Sequence, residues 1–81
     1  MRLDKFLKVS RVIKRRSVAN EACDLGRVKI NEKVAKAFSE VKVGDIIEIK
    51  FGENWAKFEV LNLTQSIKKE DAENMVKVIE G

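Results

Sequence analysis

Apolar positions recur at helical spacing in the first third of the chain and alternate thereafter. Leu3, Phe6 and Leu7 stand at i, i+3 and i+4, which predicts a short helix from Leu3 to about Val9 with that stripe buried. Lys5 and Lys8 are three apart and lie off the stripe, so both face outward. Asp4 falls in the first turn, where a carboxylate complements the helix dipole. Val12 and Ile13 interrupt a polar run and are expected to plug this connection into the core. Ser17 has the chemistry of an N-cap, and Val18, Ala22 and Leu25 then repeat at i, i+4 and i+7 as the inward stripe of a second helix. Gly26 supplies the left-handed residue that ends it. In "RVKI" the cations point outward, and Val28 and Ile30 point inward.

The remainder reads as strands and tight turns. Asn31-Glu32 is expected to form a two-residue hairpin turn, although a primed turn favours glycine at its second place. A Gly44-Asp45 turn leads into a strand in which Ile47, Ile49 and Phe51 share one face. "GEN" turns the chain back, and "WAKFEVL" sets Ala56, Phe58 and Val60 opposite Trp55, Lys57 and Glu59. "KKEDAENM" is expected to make a helical turn or two before a last strand in "MVKVI". The expected fold is α+β: two short N-terminal helices packed on a small, mostly antiparallel sheet, with a short helical turn and a strand at the C-terminus. Residues 1–81 read as a single domain, with the core basic motif in 1–50 and sheet completion and a C-terminal segment in 51–81.

Charge changes this picture by being unevenly placed. Residues 1–36 hold eleven Lys/Arg against four Asp/Glu, a net of +7, whereas residues 37–81 hold six against nine, a net of −3. Such a field attracts a polyanion to one side of a small domain. Nucleic acid is the first candidate and an anionic membrane surface the second. The second ranks low because the apolar residues are few and are needed for the core. No apolar run approaches the roughly 18 residues of a membrane span. Cys23 is the sole cysteine, which excludes an internal disulfide and suits a cytoplasmic setting.

The densest cations, Lys14, Arg15 and Arg16, directly precede the second helix. A helix N-terminus offers unpaired N–H groups and a positive dipole end, and arginine adds paired hydrogen bonds to phosphate oxygens. Taken alone, "KRR" is more often solvated surface; the charge imbalance and the position at a helix start favour an anion site. DNA reading by a helix-turn-helix is a rival, opposed by Glu21 and Asp24 on the second helix. The chain has no histidine, so Ser-His and Cys-His pairs and histidine metal ligands are excluded. Cys23, beside Ala19 and Ala22, reads as a small core residue. No catalytic residue, metal or cofactor is expected. Trp55 either stacks on a base or covers the sheet, the cover being favoured. Asp4 either orients Arg2 or Arg16 or finishes the first helix.

"MRLDKFLKVSRVIKRRSVANEACDLGRVKIN", followed by "VKVGDIIEI", resembles the S-four RNA-binding domain, named after a protein of the small ribosomal subunit. The resemblance rests on spaced positions that include Arg2, Leu3, Asp4, Arg11, Arg16, Ser17, Ala22, Gly26, Val28, Asn31, Gly44 and Asp45. It implies an RNA-gripping surface of two helices and a hairpin loop, the alpha-L motif. Glu32 departs from the family, which commonly has glycine there. Among stand-alone members the chain is similar over its whole length to small bacterial ribosome-quality-control factors, which are related to the heat-shock-protein-fifteen type. That likeness implies a monomer that binds rRNA of the large ribosomal subunit and peptidyl-tRNA, beside a factor that tails stalled nascent chains with alanine.

In this reading Arg16, with Lys14, Arg15 and Ser17, anchors phosphates at the second helix. Arg2, Asp4, Lys5, Lys8 and Arg11 extend the grip, and Arg27 and Lys29 border it. The alternatives are recycling of blocked large subunits, or a protein adaptor working through the acidic C-terminal half.

Overall fold

Alternation over residues 28–60 produces one antiparallel sheet, and the helices cover one of its faces. A computed structural model describes residues 1–63 and 74–79. Its elements are α1 (Leu3–Val9), α2 (Arg16–Asp24), β1 (Val28–Ile30), β2 (Lys33–Val34), β3 (Ile46–Phe51), β4 (Asn54–Val60) and β5 (Val76–Ile79). The strand order is β2-β1-β3-β4-β5, with every neighbouring pair antiparallel. Leu3, Phe6 and Leu7 of α1 are buried as expected, in a core shared with Val28, Ile47, Ile49 and Val60 of the sheet and with Met75. Ile13 is buried and Val12 packs beside it. No helix among the described residues is long and apolar enough to cross a membrane.

α1 receives no side-chain cap. Instead the Leu3 N–H donates to the Ser39 carbonyl at 2.8 Å, and the Asp4 N–H to that of Ala37 at 3.1 Å. The connection between β2 and β3 thus satisfies the open end of the helix, and its Ala35, Ala37 and Val41 are buried in return.

α2 departs from expectation in two ways. It starts at Arg16, and the N-cap is Arg15 in extended conformation with no side-chain cap, so Ser17 lies inside the first turn. Its buried residues are Ala19 and Cys23, whereas Val18 is 45% and Leu25 57% exposed. Both differences have one cause. Arg16 and Asn20 reach the Asp4 carboxylate on α1, and this turns the face holding residues 16, 19, 20 and 23 inward. Small side chains at 19 and 23 suit a close helix pair; the bulkier Val18 and Leu25 are rotated out. The helix closes as the glycine predicts: Gly26 has φ 72°, its N–H donates to the Cys23 carbonyl at 3.0 Å, and the Arg27 N–H donates to Ala22 at 2.9 Å.

Ile47 and Ile49 are buried, but Phe51, on the same face, is 49% exposed because the two short helices do not cover that end of β3. Phe58 and Val60 point inward and Trp55 outward, as alternation requires. β5 is the expected last strand. The helical turn expected in "KKEDAENM", with Glu70, Asp71 and Glu73, falls almost wholly outside the described residues.

The Asn31-Glu32 turn joins β1 to β2 in two residues, both at positive φ (50° and 71°), the backbone of a primed turn. Asn31 holds it there. Its side-chain amide donates to Asp45 Oδ1 at 3.1 Å, its side-chain oxygen accepts the Ile46 N–H at 2.9 Å, and its own N–H donates to the Ile46 carbonyl at 2.8 Å. Glu32 therefore sits in a left-handed conformation imposed by its neighbour. Glu32→Gly is expected to raise stability by roughly 0.5–1 kcal/mol, measured as a higher urea midpoint with unchanged slope. An unchanged midpoint would mean that the turn carries no strain.

Candidate nucleic-acid interface

Burying Leu3, Phe6 and Leu7 carries Asp4 into the seam between α1 and α2, where its side chain is 2% exposed. A carboxylate taken out of water must be matched by donors, and four residues supply them. The Lys5 N–H donates to Oδ1 at 2.8 Å. Arg16 donates from Nε to Oδ2 at 3.2 Å and from Nη2 to Oδ1 at 3.4 Å. The Asn20 amide reaches Oδ2 at 3.4 Å, and Arg2 Nε lies 3.4 Å from Oδ1. Burial alone would raise the Asp4 pKa; the Arg16 hydrogen bond, the Lys5 N–H and the Arg16 and Arg2 charges outweigh it and hold the carboxyl below the ordinary aspartate value of 3.8. Asp4 thus closes the first turn of α1 and also positions both arginines.

The arginines are gripped from one side only. Arg16 and Arg2 keep about half their side-chain surface exposed, at 49% and 50%. A guanidinium has five N–H donors in a fixed fork; those of Arg16 not used on Asp4 remain for an outside acceptor. Its rotamer is already fixed, which lowers the entropy cost of meeting a phosphate.

The other expected residues fall into two groups. Lys8, Arg11 and Lys14 line one open concavity of about 350 Å³ where α1 gives way to the connection. Arg11 has φ 62° there, and its N–H donates to the Lys8 carbonyl at 3.1 Å, so an arginine ends α1 in the conformation that Gly26 adopts after α2. Lys5 is half-buried on α1; Arg15 and Ser17 are exposed at the start of α2. These belong to the helical side. Lys29 does not. Val28 and Ile30 face the core, so Lys29 emerges on the opposite face of the sheet, where its Nζ stands 4.5 Å from the centre of the Trp55 ring. Arg27, just before β1, is exposed and shares that alternation. A second concavity, lined by Asn31, Glu32, Ile46, Glu48, Lys57 and Ile79, carries two acids and lies apart from the helical cations.

Sequence reasoning missed Asn20 as an Asp4 donor. Its signal was the i, i+4 spacing from Arg16 on a helix whose other inward residues are small. Cys23 is fully buried, and burial, with the charges of Asp4 and Asp24, pushes its thiol up to about 11. Such a thiol stays protonated and is no nucleophile. Among the described residues no cluster of ligands that could hold a metal is present.

The S4 domain family matches residues 1–47. Over 79 residues the chain is 52% identical to the RQC P-site tRNA stabilizing factor of Streptococcus pneumoniae, covering 98% of this chain and 90% of that protein. It is 51% identical to the factor of the same name from Bacillus subtilis, covering 98% and 92%. Among solved structures, heat shock protein 15 of Vibrio cholerae, described as trimeric, superposes with a TM-score of 0.87 at 25% identity, covering 98% of this chain and 81% of that one.

The lowered Asp4 pKa has a definite sign. Its contribution to stability is complete above the unfolded value and is lost as pH falls through the lower folded value. Asp4→Asn is expected to cost about 1–3 kcal/mol near pH 7, because Arg16 and Arg2 are left without their counter-charge. Urea unfolding of both proteins should show this gap narrowing as pH drops below about 4. A gap independent of pH would mean that shape, not charge, makes Asp4 necessary.

Proposed function

Because the chain belongs to the S4 domain family, we propose that it binds folded RNA on the large ribosomal subunit and steadies the tRNA in the P site. The ribosome so served is one that has stalled and split, leaving peptidyl-tRNA behind. The observation that carries this reading is the Asp4-centred pair of arginines: two half-exposed guanidinium groups held by a buried carboxylate, Arg2 from the N-cap of α1 and Arg16 from the first position of α2. Lys5, Lys8, Arg11, Lys14 and Arg15 extend the positive surface on that side, and the S-four pattern lies in the same segment. Folded RNA is read mainly through its backbone and 2′-hydroxyls, which suits a surface of fixed cations with few base-reading groups.

Near full-length likeness to proteins named P-site tRNA stabilizing factors supports the choice of tRNA as a partner. In this role the protein is a cytoplasmic binding factor without catalytic chemistry. Acting as a monomer, it holds the substrate while a second factor on the same subunit adds alanine to the stalled chain.

Co-sedimentation with purified large subunits, empty or carrying peptidyl-tRNA, tests the proposal at two salt concentrations. Binding should prefer the loaded subunits and weaken with salt in proportion to the phosphates engaged. Arg16→Ala should weaken it by about 1–3 kcal/mol, roughly fivefold to a hundredfold. Binding to neither subunit would overturn the ribosome assignment, and an unaffected Arg16→Ala variant would remove the helical arginines from the site. Equal binding to empty and loaded subunits would overturn the tRNA role and leave rRNA as the partner.

A further inference from the structure

The face of the sheet turned away from the helices carries a cationic corner that the helical site does not use. β3 and β4 pair Lys50 directly with Trp55. On the other side of β3 the Lys50 N–H donates to the Arg27 carbonyl at 2.9 Å, which sets Arg27 beside Lys50. Arg27, Lys50 and Trp55 therefore form one row across three strands, and all three are exposed. Lys29, two residues along β1, leans diagonally across so that its ammonium stands over the indole at 4.5 Å. Lys29 and Lys50 thus flank one aromatic ring, with Arg27 beyond Lys50, and the row itself contains no acid. Among the described residues none of the three cations is in an ion pair. Two acids lie near the row: Glu48, one row away and opposite Lys29, and Glu53, in the turn two residues before Trp55.

We propose that this corner is a second RNA contact, in which an unpaired nucleotide stacks its base on Trp55 while Arg27, Lys29 and Lys50 hold the flanking phosphates. The inference deepens the RNA-binding reading but rests on a different face and different residues. An exposed indole among unpaired cations has the two parts that single-strand binding requires, a π-surface for any base and a positive track for the backbone. The lysine now over the ring does not block the site. A cation–π contact at an exposed position is weaker than base–aromatic stacking, so an entering base takes the ring and Lys29 turns to the phosphate. A protein partner with an acidic tail is the competing occupant. It accounts for the cations but not for the aromatic beside them.

Trp55 is the only tryptophan in the chain, so its fluorescence reports on this corner alone. The full-length protein is titrated with hexaadenylate, and separately with hexaglutamate as the acidic-peptide control. Saturable quenching by hexaadenylate is expected, with hexaglutamate far weaker. Lys50→Gln and Arg27→Gln should each lower the slope of log affinity against log salt by about 0.7. Trp55→Ala, followed by anisotropy of labelled hexaadenylate, should lose about tenfold in affinity. Since that variant also removes sheet packing, Trp55→Phe is paired with it and should recover most of the loss. Arg16→Ala should leave hexaadenylate quenching unchanged, which separates this site from the helical one. No quenching by hexaadenylate, equal quenching by hexaglutamate, or unaltered salt slopes in both glutamine variants would each overturn the proposal, whatever the large-subunit experiment shows.

Discussion

A single buried carboxylate sets the relation between the two helices. Asp4 is almost wholly shielded from water, so its two oxygens must be served by groups that the fold brings to them, and α2 has to present Arg16 and Asn20 in the register that does so. Everything else about α2 follows from that demand: which residues turn inward, why they are small, and why the helix starts at the arginine. Burying an ion is expensive unless its partners are in place. The same donors that remove this penalty hold the two guanidinium groups half-exposed and still, so stability and binding geometry rest on one set of contacts.

How far the sequence disclosed this varied from element to element. The stripe of α1, the glycine that ends α2 and the alternation along β3 and β4 were legible because each is a local pattern with a single physical cause. The inward face of α2 was not. Val18, Ala22 and Leu25 have the better hydrophobic spacing, but the rotation of the helix is decided by a polar contact to a residue twelve positions before Arg16, which no local periodicity contains. Ser17 misled for a related reason: a good capping side chain was present, and an extended Arg15 took the position. In the candidate site the types and neighbourhood of Arg2 and Arg16 were readable. That Asp4 joins them, and that Lys29 leaves their side, depended on packing and on the pleat.

The division of cations between two faces gives the molecule a particular logic. On the helical side the arginines are fixed by a buried counter-charge, and the surface presents a rigid set of donors. On the open side of the sheet Lys29 and Lys50, on strand positions, and Arg27, just before β1, are without ion-pair partners among the described residues, and Lys29 stands over the Trp55 ring. Rigid donors suit a folded target whose phosphates are themselves fixed, and the long, flexible stems of lysine suit one that is not.

The segment matched by the family stops at residue 47, but the hydrophobic interior does not. Ile47 and Ile49 are sealed by strands and by Val60 and Met75, which come later in the chain, and the start of α1 is closed by carbonyls from residues 37 and 39. The chain's first helix therefore depends on backbone more than thirty residues ahead, and its core on a residue more than seventy ahead. The surface that α1 and α2 present is thus a property of the whole fold, and a chain cut after residue 47 lacks Ile49, Val60 and Met75 of the core on which it rests.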